Sequence, residues 1–331
     1  LAAPPDIGLG LTWATIADPG NRAFNDDERG FPFVLEPRHT GAVDYTFDIM
    51  NTEVTAAAQL EFVTAYWNHA NLATPTAPTA ADAIDLIGRD FIGLANPDAA
   101  PGQDPGFFVR EANRNKPAQM GWRNWARFAN WLHNDKALAP EAFATGAYDT
   151  ATFESDGITI LDNMEALPGA RVRLPNLNEW TKAMHWDPAK DNGAGGYWLY
   201  PHSSDEIPIQ GALEDGGETD ANMSAFVDFE QADVDAYPNA LSPWGLFGGI
   251  GGESEALDAT GLDLIGPSLV IVKGDDFTGF PDGSFSLVAV DDVSGTGVSN
   301  PIGARFIFIP ATPGTVALLA GLMTAGMLRR R

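Results

Sequence analysis

The chain has 331 residues, and its hydrophobic content of 44% is enough to bury one large core or two modest ones. Its 19 basic and 45 acidic residues give a formal net charge of -26, which argues against nucleic-acid binding because such a surface repels phosphate backbones. The sequence contains no cysteine, which excludes disulfides, thiolate metal sites and cysteine nucleophiles. The 35 glycines and 24 prolines indicate a loop-rich fold with few long helices.

The first elements are a short leader and a strand. The opening "LAAPP" is typical of what remains after a secretory signal is trimmed, and we assign residues 1–12 to an N-terminal segment after such a signal. The loop "WATIADPGNRAFND" precedes "GAVDYTFDIMNTEVT", in which Val43, Tyr45, Phe47 and Ile49 alternate with other residues. This alternation predicts a strand.

A helix is predicted directly after this strand. Thr55 is a suitable N-cap in "TEVTAAAQLEFVTAYWNHA", and Leu60, Val63 and Trp67 are spaced to share one face. Residues 74–110 are rich in proline and are predicted to be an insertion or long loop around a short helix near "AADAIDLIG".

Two further amphipathic helices follow. In "KPAQMGWRNWARFANWLHNDKAL" an apolar stripe at helical spacing comprises Trp122, Trp125, Ala126, Ala129 and Leu132. The polar residues predicted to lie away from it are Arg123, Asn124, Arg127, Asn130 and Asn134. We interpret the tryptophans as core residues. "RLPNLNEWTKAMHW" predicts a helix that begins with a capping box between Asn176 and Glu179.

The C-terminal segment, residues 310–331, has three parts. Pro310 and Pro313 precede a run from Val316 to Leu328 without a charge, which is shorter than the roughly 20 residues that cross a bilayer. Three arginines, Arg329, Arg330 and Arg331, end the sequence and favour the cytoplasmic side of a membrane. A buried helix would be expected to carry a polar face, and only Thr324 is polar here, so the pattern favours an anchor.

This segment resembles the PEP-CTERM sorting signal of exported bacterial proteins, with "PATPG" in place of a Pro-Glu-Pro lead. The resemblance implies export, transient membrane retention and processing by an exosortase-type enzyme. Bacteria with this system usually make extracellular polysaccharide. We therefore expect a protein at the cell surface or outside the cell.

The body of the chain carries seven motifs in a characteristic order: "DPGN", "GAVDYTFDIMNTEVT", "KPAQMGWRNWARFANWLH", "RVRLPNLNEW", "YWLYPHSSD", "SPWGLFGGIGG" and "IGARF". From about Trp13 to Phe308 it resembles the formylglycine-generating enzyme, or sulfatase-modifying factor, family. The resemblance implies one domain over residues 13–309 with a C-type-lectin-like α+β fold and few short helices and strands. Matched residues such as Glu53, Thr55, Arg173 and Glu179 are expected to specify that fold. Gly303 and Arg305 are expected to lie in its closing strand.

The chemistry of the resembled enzyme is not expected in this chain. That family oxidises a substrate cysteine with copper held by a cysteine pair, and hydroxyls such as those of Ser284 and Ser286 cannot replace soft thiolates. The family's G-G-N-V-W-E-W is "GGESEAL" here, and its R-G-G-S-W is "KGDDF". We therefore expect no copper and no oxidase activity, that is, a pseudoenzyme.

Structural calcium is the cofactor that the resemblance implies. One family site uses the asparagine of an "AN" motif, which matches Asn222, with a downstream aspartate for which Asp228 and Asp233 are candidates. A second family site uses the asparagine of G-G-N, where this chain has Glu253. Acidic loops that hold no ion are the alternative.

Other catalytic groups are weakly indicated. Glu253 and Glu255 are spaced as a possible acid/base pair, although solvated carboxylates are the favoured interpretation in so acidic a chain. The glycine run "GGIGG" lacks the framing elements of a dinucleotide loop. No metal-ligand spacing relates the five histidines, which are His39, His69, His133, His185 and His202.

Two functions remain open. The first is a non-catalytic binding or structural protein at the cell surface, with extracellular polysaccharide, a surface protein or further copies of itself as partner. Trp198, Tyr200 and Trp244 are its candidate sugar-stacking residues, with core packing as the favoured alternative for each. The second is an enzyme with non-copper chemistry in the old active cleft.

Overall fold

The computed structural model describes residues 4, 8, 10–25, 40–69, 86–87, 91–100, 102–153, 162–221, 231–260, 269–274, 291–294 and 302–310. These residues form a mixed structure of few helices and short strands, consistent with the predicted loop-rich α+β class. No helix in the described part of the chain is long and apolar enough to cross a membrane. Of the predicted anchor, only Pro310 falls within the described residues; Pro313, Arg329, Arg330 and Arg331 lie outside them.

The helices are mostly short. They are α1 (Ala56–His69), α2 (Trp122–His133), α3 (Pro140–Ala144), α4 (Leu177–His185) and α5 (Lys190–Gly193), with 3-10 turns at Glu111–Asn113, Thr150–Thr152 and Leu213–Asp215. The three longest are those that the sequence predicted.

Within the described part of the chain, the strands form four small antiparallel sheets. Sheet one has the order β1 (Trp13–Ile16), β2 (Phe47–Met50), β11 (Ile307–Phe308), β5 (Val172–Arg173), and sheet two has the order β10 (Asp291–Ser294), β9 (Leu269–Lys273), β8 (Glu255–Ala256). Two hairpins pair β3 (Ile92–Leu94) with β4 (Phe107–Val109), and β6 (Trp186–Asp187) with β7 (Gly196–Tyr197). Sheet one thus joins the beginning of the body to its end.

Local sequence signals explain where the helices begin. The backbone N–H of Ala58 donates to the Thr55 hydroxyl at 3.2 Å, so Thr55 caps α1 as predicted. At α4 the capping box is complete, because the Glu179 N–H donates to the Asn176 side chain at 3.0 Å and the Asn176 N–H donates to Glu179 at 2.8 Å. Both caps confirm the sequence prediction.

Aromatic packing between α1, α2 and α3 makes the larger core. Phe62 stacks on Phe128 with ring centroids 4.5 Å apart, and Trp131 stacks on Phe143 at 6.1 Å. Trp122 and Trp125 are buried, which confirms their interpretation as core residues. The second core lies under α4, where Trp180 is fully buried against sheet one.

The polar side predicted for α2 is partly wrong. Asn130 is 0% exposed, and its side chain makes four hydrogen bonds of 2.7–3.0 Å to the backbone of Phe143, Ala147 and Tyr148. Helical spacing cannot show this role, because a buried amide looks like a surface amide until the loop that it binds is in place. Asn130 therefore ties α2 to α3 and the loop after it.

The predicted insertion has structure of its own. Within residues 74–110 the chain forms the β3–β4 hairpin, and Phe107 packs edge-on against Trp67 of α1 at 5.6 Å. Leu86 and Ile87 are helical and buried, at the position of the predicted short helix. The segment is thus attached to the core through α1.

Candidate functional site

Two buried ion pairs lie next to the irregular loops that contain the candidate site. Arg173 donates to both Glu179 oxygens at 2.6 and 2.8 Å, and Arg305 donates to both Glu255 oxygens at 2.5 and 2.7 Å. Arg305 also donates from Nη2 to the Phe247 carbonyl at 2.9 Å. It therefore joins sheet two to the glycine-rich loop at residues 247–252.

Glu53 lies beneath this glycine-rich loop with 1% of its surface exposed. Its Oε1 accepts the backbone N–H of Glu253 at 2.9 Å. A Cβ added to Gly248 or Gly252 would lie 2.9 or 2.5 Å from Glu53 Oε2, so only glycine permits the loop to close over this carboxyl. Burial and the nearby Glu255 carboxylate raise the pKa of Glu53 well above its ordinary value.

Glu253 and Glu255, the possible acid/base pair of the sequence, have different hydrogen-bond partners. Glu255 is fully buried, ion-paired with Arg305, and accepts the Trp180 indole N–H at 2.9 Å. Glu253 instead accepts from the amides of Gln119 and Gln231, the latter at 2.7 Å. Glu255 thus serves as a buried structural anion, whereas the favoured interpretation of the sequence was a solvated carboxylate.

An irregular cleft lies beside Glu53, between residues 201–221 and 231–252. Its inner chamber has a volume of about 20 Å³ and is lined by Glu53, His202, Glu218, Asp220 and Tyr237 among others. A more open groove of about 480 Å³ adjoins it and shares Asp220, Ala232, Asp233 and Tyr237 as lining residues. Both spaces belong to one cleft.

Asp220 organises the cleft. Its two carboxylate oxygens accept the backbone N–H groups of Gly252 at 2.9 Å and Ala232 at 2.7 Å. It therefore holds the two loops together from inside. Burial raises the pKa of Asp220, against the opposing effect of these backbone hydrogen bonds.

His202 contributes a neutral imidazole. Its side chain is 7% exposed, and its Nε2 lies 3.9 Å from a Glu218 oxygen. Its buried Nδ1 has no hydrogen-bond partner in the described structure. Burial lowers the pKa of His202, with Glu218 acting in the opposite direction.

The predicted sugar-stacking residues have different environments. Tyr200 is 2% exposed and packs with Ala221 and Ile250 behind the cleft, so its ring lies inside the protein. Trp198 is half-buried, and the Lys190 ammonium lies 3.9 Å from its ring centroid. Trp244 is half-buried against both the second core and the Trp186–Tyr197 cluster.

The predicted calcium ligands are only partly described. Asn222 and Asp228 lie outside the described residues. Asp233 lies 3.1 Å from the Lys116 ammonium. The described residues contain no group of three or more His, Cys, Asp or Glu side chains placed to hold a metal ion. Around Glu253, however, the buried amide oxygens of Gln119 and Gln231 have no hydrogen-bond partner among the residues that the structure describes. They are hard oxygen donors of the kind that calcium accepts.

The cleft itself was not predicted from the sequence. Glu53 was interpreted only as a fold-specifying residue and His202 as an isolated histidine, because 149 positions separate them. The available signal was the run "GGIGG", whose Gly248, Gly251 and Gly252 have positive φ of 65°, 83° and 67°. Such a run marks a place where the backbone approaches another group closely.

Comparison with solved structures shows the fold. Treponema denticola variable protein 1 matches with a TM-score of 0.50 and 16% identity, over 91% of this chain and 95% of that one. CarF matches at 0.49 and 17% over 92% and 100%, and PvdO from Pseudomonas aeruginosa matches at 0.46 and 14% over 91% and 92%. No family model and no curated protein matches the chain. At these identities the likeness concerns the fold alone. The Treponema denticola protein, with the TM-score of 0.50, is the structure that shows it.

Proposed function

We propose that this protein is a non-catalytic binding module of the cell surface, built on the C-type-lectin-like scaffold of the formylglycine-generating enzyme family, and that its cleft captures extracellular polysaccharide. The observation that carries the proposal is the cleft between residues 201–221 and 231–252. Its loops are held by a buried polar network in addition to the apolar cluster of Tyr200, Ala221 and Ile250, so their shape is maintained without regular structure.

The chemistry of the chain supports binding rather than the oxidase reaction. The sequence has no cysteine with which to hold copper as the resembled family does. The Glu255 carboxylate in the altered "GGESEAL" motif is ion-paired with Arg305 and does not face a ligand. What remains open to a ligand is the cleft, with polar groups that converge on it.

Calcium belongs to the proposal as a structural ion. Glu253 would hold it, with Gln119 and Gln231 turned so that their amide oxygens replace the N–H groups that now face this carboxylate. The ion would stabilise the loop at residues 247–252 without entering any reaction. Metal analysis of the purified protein tests this: we expect calcium, and its removal by a chelator should lower the melting temperature.

Export and surface attachment follow, in this proposal, from the sorting-signal pattern of residues 310–331. A processing enzyme would act on that segment, and self-assembly or a surface protein would be an alternative use of the exposed domain. Cell fractionation of the natural protein and of a variant with Arg329, Arg330 and Arg331 replaced by glutamine tests the attachment. Identical distribution of both would refute a role for the arginines.

The binding test uses retention of the full chain on immobilised polysaccharides, with and without calcium. We expect saturable retention, and we expect Ala232→Trp to abolish it because the indole would fill the cleft that Ala232 lines. Ala137→Trp, at an exposed position away from the cleft, is the matched control. Retention that survives Ala232→Trp would show that the cleft is not the binding site.

A second candidate function is acid/base catalysis on a polysaccharide in the same cleft. It is favoured by one observation: Glu53, with its raised pKa, and the neutral imidazole of His202 line the same chamber. The two functions differ in the fate of the ligand. A binding module returns the polysaccharide unchanged, whereas a hydrolase would release new reducing ends, and Glu53→Gln would stop that release.

A further inference from the structure

The inner chamber of the cleft has the size of a single small polar group. Its volume of about 20 Å³ is close to the space that one water molecule needs. The adjoining groove of about 480 Å³ is large enough for the remainder of a ligand. A ligand could therefore place one head group in the chamber and the rest of its structure in the groove.

The charge of the chamber is one-sided. Four carboxyl groups line it, those of Glu53, Glu218, Asp220 and Asp233, and its lining among the described residues includes no lysine or arginine. Two cations lie nearby: Lys116 in the groove, 3.1 Å from Asp233, and Arg305 close to Glu53, where it is ion-paired with Glu255. A head group that carries positive charge would find its complement here, whereas an anionic one would be repelled.

One oxygen of the Glu53 carboxyl has no hydrogen-bond partner among the described residues. Its side chain is almost fully buried, and Oε1 is occupied by the Glu253 N–H. No hydrogen bond reaches Oε2 from any described residue. Gly248 and Gly252, which also line the chamber, lie against this oxygen without a Cβ. A buried oxygen without a hydrogen-bond partner costs free energy, and an ammonium group that donates to it would recover that cost. The positive charge would also favour the ionised form of Glu53, against the burial and the Glu255 carboxylate that raise its pKa.

His202 adds a second unsatisfied group on the same lining. Its ring is positioned by the Glu218 carboxylate at 3.9 Å and by the Tyr200 ring at 6.0 Å. Its Nδ1 has no partner in the described structure, and in the tautomer that carries its proton on Nε2 this nitrogen accepts a hydrogen bond. The rings of Tyr237 and Phe247 complete the lining and suit a cation in a partly dehydrated site.

We propose that the inner chamber binds the primary ammonium group of an amine-bearing ligand and that the outer groove holds the carbon skeleton to which the ammonium is attached. The inference deepens the proposed function and rests on it for the identity of that skeleton: a polysaccharide that contains sugars with free amino groups. A chain with a net charge of -26 attracts such a cationic polymer over long distances.

Other head groups fit less well. An ammonium group has three donors and no acceptor, which matches a chamber that offers acceptors, whereas a hydroxyl group leaves an unused acceptor and brings no charge. A guanidinium group is planar and too large for about 20 Å³. A metal ion in the chamber would have to be held by its carboxyl and imidazole groups, and the described residues contain no group of three or more such side chains placed to hold one.

The first experiment tests the chamber with a small probe, independently of any polysaccharide. Calorimetry on the full chain measures binding of n-butylammonium, with n-butanol as the uncharged probe and n-butyltrimethylammonium as the probe that is too large. We expect only n-butylammonium to bind, and Glu53→Gln and Glu218→Gln each to weaken it by about tenfold, the equivalent of one lost charge-assisted hydrogen bond. Glu141→Gln, an exposed position remote from the cleft, should change nothing.

The second experiment identifies the skeleton. Oligomers of glucosamine are compared with the same oligomers after N-acetylation, and with a lysine-containing peptide and cadaverine. Preference for the free-amine oligomer supports the polysaccharide; preference for the peptide or for cadaverine keeps the ammonium chamber and overturns the proposed skeleton.

The outcomes separate the two proposals. Equal binding of n-butanol and n-butylammonium, or n-butylammonium binding that is unchanged in both Glu53→Gln and Glu218→Gln while their melting temperatures are retained, overturns the ammonium chamber. Retention of a neutral or anionic polysaccharide together with no n-butylammonium binding would preserve the binding module and refute this inference alone.

Discussion

Arg305 and Glu255 meet through two charge-assisted hydrogen bonds of 2.5 and 2.7 Å, and neither side chain is exposed to solvent. The pair closes sheet two against the segment that leads into β11. Arg305→Met leaves a buried carboxylate without its counter-ion, and we expect a loss of about 3–5 kcal/mol in the free energy of unfolding. Equilibrium unfolding in guanidinium chloride measures this loss.

The matched control for this pair is at the surface. Lys136 lies 2.9 Å from Glu61 with both groups partly exposed, so Lys136→Met should cost about 1 kcal/mol or less. Replacing both Glu255 and Arg305 by methionine should cost less than Arg305→Met alone, because no buried charge remains. Equal costs for Arg305→Met and Lys136→Met would contradict the assigned role.

The loop over Glu53 depends on glycine for two reasons that can be separated. Gly245 and Gly252 both have positive φ, 79° and 67°, but an added Cβ meets nothing within 4 Å at Gly245 and lies 2.5 Å from Glu53 Oε2 at Gly252. Gly245→Ala should cost about 1–2 kcal/mol from backbone strain alone. Gly252→Ala should cost more, as measured by the same unfolding experiment, and combining it with Glu53→Ala should recover the excess.

The lowered pKa of Lys182 should affect the stability of the protein at alkaline pH. Its ammonium donates to the Asp18 carbonyl at 2.8 Å, and burial lowers its pKa from 10.5 to about 8. Between these two values the unfolded chain binds more protons than the folded protein does, so the free energy of unfolding rises with pH across this window. The stability of the natural protein relative to Lys182→Met should therefore increase from about pH 8 to 10.5.

The comparison with Lys182→Met removes contributions from other groups, such as the buried tyrosines, that are common to both proteins. A difference in stability that is constant over this pH range would show that Lys182 keeps an ordinary pKa in the folded protein.

Asn130 should contribute far more to the stability of the protein than a residue on an exposed polar face of a helix would. Asn130→Ala removes four buried hydrogen bonds and leaves backbone groups of Phe143, Ala147 and Tyr148 without partners. We expect a loss of about 3 kcal/mol, seen as a lower melting temperature. Asn239→Ala, at an exposed position, should have no measurable effect. A small effect at Asn130 would mean that water replaces the amide.

Local patterns predicted the elements that depend on near neighbours. The Thr55 cap, the capping box between Asn176 and Glu179, and the buried tryptophans of α2 all follow from residues within one or two helical turns of each other. The closing strand was predicted less well: Gly303 and Arg305 precede β11, which begins at Ile307. Strand bounds depend on the partner strand, and the partners of β11 are β2 and β5, far away in sequence.

By itself the sequence determined the α+β class, the positions of the main helices, the acidic charge and the absence of thiolate chemistry, because composition and short-range periodicity contain that information. Only the tertiary structure decided that Glu53, His202, Glu218 and Asp220 line one chamber. Burial and unpaired hydrogen-bonding atoms are properties of the assembled loops. Residues contributed by segments up to 200 positions apart, such as Glu53 and Glu253, acquire them only when the chain has folded.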